Sequence, residues 1–127
     1  MVALIVCGAG LGRWYGRLTS VANAEAAANT AAAAFIDDVQ QHRGEAAYGR
    51  LCANTKRAFP LEDFTARVRA AKPGLYHRII ATDVRHGTDP LTATVVAELR
   101  YQDGSTDRHG YDLVQEGGSW KACGRPF

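Results

Sequence analysis

The chain has 127 residues, 46% of them apolar and 22% charged, with a formal charge of +2. That is one domain's worth of chain, long enough to bury a single core without a metal to hold it together. The charge is small and its basic residues are scattered among acidic ones, which argues against a nucleic-acid partner.

Met1 to Gly12 carries no charge and runs directly into Arg13-Trp14-Tyr15-Gly16-Arg17. A dozen apolar residues fall short of the ~20 that a membrane-spanning helix needs. No basic stretch precedes them as it would in a signal peptide. An apolar run meeting Trp-Tyr between two arginines nevertheless has the pattern of a span reaching the bilayer interface. Residues 1–19 are therefore read as the end of a single-pass membrane anchor with its juxtamembrane segment, and residues 20–127 as the domain that follows. A lipoprotein signal at Cys7 fits less well, because Val6 stands where a small residue belongs. A hydrophobic first strand in a cytosolic protein is the other alternative.

Ser20 to Gln41 is alanine-rich and predicts a helix, with Gly44 as its stop. Ala24, Ala28, Ala31, Phe35 and Val39 form a stripe at helical spacing that Ile36 widens, and Asp38 falls off it. Glu45 to Ala53 predicts a second, shorter helix with Ala47, Tyr48, Leu51 and Cys52 inward, broken by Asn54-Thr55-Lys56-Arg57. Pro60 suits the first turn of a third helix, where Leu61, Phe64 and Val68 make the apolar stripe, Arg67 and Arg69 face outward and Pro73-Gly74 ends the element.

A strand follows from about Leu75 to Arg85, with Tyr76, Ile80 and Val84 on one side and His77, Ile79 and Ala81 on the other. Leu91 to Cys123 then reads as a three-stranded antiparallel meander, its turns marked by Asp103-Gly104 and Gly117-Gly118. Val95, Ala97, Leu99 and Tyr101 face one way, joined by His109, Tyr111 and Leu113 and then by Trp120 and Ala122. Thr94, Val96, Glu98 and Arg100 face the other way.

Cys52 and Cys123 lie far apart in the domain, and two readings fit them: a disulfide in an oxidising compartment, or two buried free thiols. Strict alternation puts Cys123 on the face opposite Trp120 and Ala122, so a bond would need a bulge or a strand ending near Gly124.

A long helix, two short helices, a strand and a meander is the element order of the nuclear transport factor 2-like cone, an α+β fold with a curved, mainly antiparallel four-stranded sheet. Within it, Leu-Cys-Ala-Asn-Thr at 51–55, Phe-Pro-Leu-Glu-Asp-Phe at 59–64 and the segment from Tyr111 to Gly124 resemble small actinobacterial proteins of unknown function. Those proteins carry one N-terminal membrane anchor and an extracytoplasmic domain. The resemblance covers roughly Ala24 to Phe127 and implies a cell-membrane protein whose domain lies on the extracytoplasmic side. It also implies that Cys52 and Cys123 are a structural disulfide pair. In the chain-entropy picture, closing a loop of about 70 residues contributes on the order of 4 kcal/mol.

Enzymes on this fold place an acid or base deep in the cone, because proton transfer needs a perturbed group in a dry pocket. The residues available to line such a pocket are Tyr48, Leu99, Tyr101, His109, Tyr111 and Trp120. Tyrosines in a small sheet also fill volume while keeping the hydroxyl at the rim, so no catalytic residue is assigned. No nucleophile, phosphate-loop or metal motif is present, and His42, His77, His86 and His109 have no ligand spacing. No cofactor or metal is expected.

Three functions remain, in this order. The first is a non-catalytic interaction module with an unknown protein partner and a cone packed shut by Phe35, Phe64, Leu99, Tyr111 and Trp120. The second is a cone binding a small apolar ligand, with a pocket of several hundred Å3. The third is an isomerase- or dehydratase-like enzyme with a shifted ionisable group in its pocket. By analogy with the fold, a homodimer would form through the outer sheet face.

Overall fold

The computed structural model describes the backbone from residue 9 to residue 127 and the side chains from residue 23 onward. A long helix, α1 (Ala9–Gln40), is followed by three short ones, α2 (Gly44–Gly49), α3 (Ala53–Ala58) and α4 (Leu61–Ala70). Four strands come next: β1 (Gly74–Arg85), β2 (Thr92–Tyr101), β3 (Thr106–Glu116) and β4 (Ser119–Cys123). They form one sheet in chain order, antiparallel throughout. The chain is α+β, with α1 lying across the inner face of the sheet and touching all four strands.

Alternation and turn chemistry account for the meander. Ala93, Val95, Ala97 and Leu99 of β2 point inward, as do Tyr111 and Leu113 of β3 and Trp120 and Ala122 of β4. Gly117 and Gly118 both have positive φ, 56° and 79°, the two-residue turn that matches the twist of a hairpin. Thr94, Val96, Glu98 and Arg100 stand on the outer face, where Glu98 meets Arg78 at 3.5 Å and Arg108 at 3.9 Å. The alanines of α1 let it approach the sheet closely. Ala28 and Ala32 have no exposed surface, and Phe35 and Ile36 supply the bulk.

Four readings of the sequence are corrected. First, α1 ends at Gln40, the chain turns at His42 with φ 58°, and Gly44 instead opens α2 against Thr65. Second, Asp38 is buried. It accepts from Arg43 Nε at 2.9 Å and Arg50 Nε at 2.6 Å, so the two half-exposed arginines supply the partners that a buried carboxylate requires. Third, α2 ends at Gly49, and the supposed break at 54–57 is itself α3, which makes three short helices rather than two. Fourth, the imperfect alternation of β1 divides its faces differently from the sequence reading. A register shift at Ile80 turns His77, Ile79, Thr82 and Val84 inward and leaves Tyr76, Ile80 and Ala81 out.

The shortened α2 also explains the disulfide. Leu51 leaves the helix to form a parallel bridge beside Ala122, with Cys52 N–H donating to Ala122 O at 2.8 Å and Ala122 N–H to Arg50 O at 2.9 Å. Leu51 and Ala122 both face the core, so Cys52 and Cys123, one residue further along each segment, turn the other way together. They are bonded, 71 residues apart, with a Cα–Cα distance of 5.2 Å. The alternation that appeared to oppose the bond is what aligns it. Buried Thr55 sets its hydroxyl 3.3 Å from Cys52 Sγ.

The expected anchor over residues 1–19 begins outside the described residues, and so does Cys7. Among the described residues, no helix is long and apolar enough to cross a membrane.

Candidate ligand cavity

The inward row of β3 changes character along its length. Leu113 and Tyr111 are buried, His109 is half-buried and Asp107 is exposed. The register sets Tyr111 opposite Val95, His109 opposite Ala97 and Asp107 opposite Leu99. Ile36, Val39 and Gln40 of α1 face this half of the sheet across a cavity of about 430 Å3. Arg67 and Ala70 of α4, Lys72 after it, and Pro126 and Phe127 complete the walls.

Its floor is aromatic. Tyr111 meets Phe35 edge-on at 6.0 Å and the His109 ring at 4.5 Å. Burial raises the Tyr111 phenol well above the ordinary tyrosine range, with Tyr101 and Asp107 adding to the shift. Tyr101 is raised in the same direction, by burial first and then by the charges of Asp107 and Asp103. Both phenols therefore stay neutral at physiological pH. Nε2 of His109 is buried and has no hydrogen-bond partner among the described residues.

The rim carries charge. Lys72 Nζ lies 5.4 Å over the Tyr101 ring and 3.5 Å from Asp103 Oδ2. The Arg67 guanidinium stacks 5.3 Å over Phe59. Asp107 takes the backbone N–H of Arg108 at 2.8 Å.

Four of the six residues singled out from sequence line this cavity: Leu99, Tyr101, His109 and Tyr111. Two do not. Tyr48 turns toward Phe64, with ring centroids 5.5 Å apart, and donates its hydroxyl to Lys56 O at 3.2 Å. Trp120 sits on the short edge strand opposite Gln115 and packs into the core. Asp107 escaped notice although the alternation that selected His109 and Tyr111 reaches it two residues earlier. Arg67 had been read only as an outward residue, yet its side chain reaches the rim. Lys72, Pro126 and Phe127 carry no periodic signal and arrive by tertiary packing.

No protein-family profile and no curated protein matches the sequence. A comparison of folds finds the crystal structure of the "Putative NTF2-like transpeptidase" from Campylobacter jejuni, at a TM-score of 0.57 and 9% identity. The match covers 74% of this chain and 94% of that one. Identity that low speaks for the architecture alone. With its four-stranded antiparallel sheet and the long helix across the inner face, this chain has the nuclear transport factor 2-like fold.

Proposed function

We propose that the chain binds a small amphipathic molecule in its cone, as the extracytoplasmic domain of a membrane-anchored protein. The observation that carries the reading is the cavity of about 430 Å3, whose lining includes His109, a ring with a buried Nε2 that lacks a partner among the described residues. Small-molecule sites span roughly 300–1,000 Å3 and combine an apolar lining with a few polar groups. A buried polar atom without a partner costs free energy unless a ligand or a water supplies one. A molecule with an apolar body against Leu99, Ile36 and Val39 and one hydrogen-bonding group at His109 meets both conditions.

Two features support the location. The apolar run from Met1 to Gly12 suits a membrane segment, and the Cys52–Cys123 bond suits an oxidising compartment. The uncovered outer sheet face, with Val96 and the Arg78–Glu98–Arg108 charges, is the surface we assign to protein contacts, a second copy of the chain included.

The test is a titration of the full chain with 1-anilinonaphthalene-8-sulfonate, an apolar fluorophore with one anionic group. Saturable binding is expected, and Leu99→Trp, which fills the cavity, abolishes it while the fold survives by circular dichroism. Binding that Leu99→Trp leaves intact would place the probe elsewhere and remove the reading.

A further inference from the structure

One wall of the cavity is supplied by neither helix nor strand. The chain leaves β4 at Cys123, turns at Gly124 with φ 75°, and brings Pro126 and Phe127 to the cavity. Among the described residues, no backbone hydrogen bond ties Gly124–Phe127 to another element. Besides the packing that buries Pro126, three contacts hold the segment. Phe127 lays its ring against Phe64, with centroids 5.3 Å apart, and Thr55 Oγ1 donates to Gly124 O at a long 3.5 Å. The third is the Cys52–Cys123 bond at its root, which joins the segment to the start of α3. Pro126 is buried, whereas the Phe127 ring is 38% exposed, so it faces both the cavity and solvent.

We infer that Gly124–Phe127 is the movable wall of the cavity and that the Cys52–Cys123 bond sets ligand affinity by holding that wall in place. The inference rests on the reading of the cavity as a ligand site. The bond adds a covalent tie to Cys52 at a residue that the sheet already sets opposite Asp112, so Gly124–Phe127 leaves the fold from a fixed root. Reduction by a dithiol passes two electrons and two protons to the cysteines, giving two thiols and leaving the reagent as its own disulfide. The segment is then held by the packing of Pro126, the Phe64 contact and one weak hydrogen bond. Ligand bound against Phe127 loses a wall and dissociates faster. The fold keeps its core, because Leu51 and Ala122 remain paired without the sulfurs.

The experiment is a double-mutant cycle read by the same fluorophore on the full chain. Phe127→Ala with the bond intact is expected to weaken binding about tenfold, equivalent to about 1.4 kcal/mol. Cys52→Ser with Cys123→Ser is expected to weaken it similarly, and adding Phe127→Ala to that pair should add little, because the wall is already free. Additive losses, or unchanged affinity on Phe127→Ala, would overturn the inference. Should the serine pair not fold, Phe127→Ala in the oxidised protein decides alone. Wild type that does not bind the probe, or binds it regardless of Leu99→Trp, removes the ligand-site reading and this inference with it. Binding that Leu99→Trp abolishes but Phe127→Ala leaves unchanged removes only the inference.

Discussion

The two ends of the inner sheet face share strands and alternation, yet one is a core and the other a cavity. At the closed end Ala93, Val95 and Leu113 are at most 2% exposed and lie under the alanine-rich middle of α1. At the open end the same rows continue as Leu99, Tyr101, His109 and Asp107, and α1 offers Val39 and Gln40 instead of close-fitting alanines. A strand supplies positions, and the side chains decide whether those positions are filled. Aliphatic groups against alanine leave no gap. A ring with a polar edge is buried only at a cost when that edge lacks a partner, and Nε2 of His109 lacks one among the described residues. The cavity follows from that substitution of chemistry along one row.

The largest expected effect comes from the disulfide, which fastens the end of β4 to the start of α3. Cys52→Ser should lower the stability of oxidised protein by about 4 kcal/mol, the chain-entropy value for a loop of this length. The reduced proteins should have matching denaturant midpoints. An equal loss in both would show that packing, not the bond, gives Cys52 its value. Thiol titration of the unreduced, denatured chain should find one reactive cysteine, Cys7, where a chain without the bond would give three.

Truncation of core side chains tests the comparison directly. Leu113→Ala, at 2% exposure in the closed end, should cost about 3 kcal/mol, because its neighbours cannot collapse into the space. Leu99→Ala should cost about half as much, since one side of Leu99 already borders open volume. Urea denaturation of both variants provides the measurement. Equal costs would mean that the open end is packed as tightly as the closed one.

What the sequence reveals follows the same division. The meander is legible because Asp103-Gly104 and Gly117-Gly118 are local signals and β2 and β3 alternate without interruption. Strand β1 is less so, because the register shift at Ile80 reverses the faces of everything before it. Helix propensity carries α2 past Gly49, whereas Leu51 is claimed by a bridge to Ala122, a residue 71 positions away that no local pattern reveals. The buried state of Asp38 is hidden for a similar reason: its partners lie on the next turn and beyond the next helix. Within the cavity, Leu99, Tyr101, His109 and Tyr111 come from strand periodicity. Arg67, Lys72 and Phe127 come from elements whose approach is set by the whole fold.

The smallest expected effect at neutral pH is the most specific to the open end. Tyr111→Phe removes one hydroxyl from a position 7% exposed and should change stability by no more than about 1 kcal/mol at pH 7. Above about pH 10 the variant and the wild type should part. Burial raises the folded-state affinity of the Tyr111 phenol for its proton above that of the unfolded chain. Its contribution to stability is thus complete below the unfolded value near 10 and is lost as pH rises beyond it, because only the unfolded chain ionises freely. The melting temperature of the wild type should accordingly fall more steeply between pH 9 and about pH 11.5 than that of Tyr111→Phe. Tyr101, raised for the same reason but less buried, should leave the variant with a residual slope. Parallel curves for the two proteins would mean that water reaches the Tyr111 hydroxyl as freely as in the unfolded chain. The cavity floor would then be wet, and an apolar body bound there would have little to gain from leaving solvent.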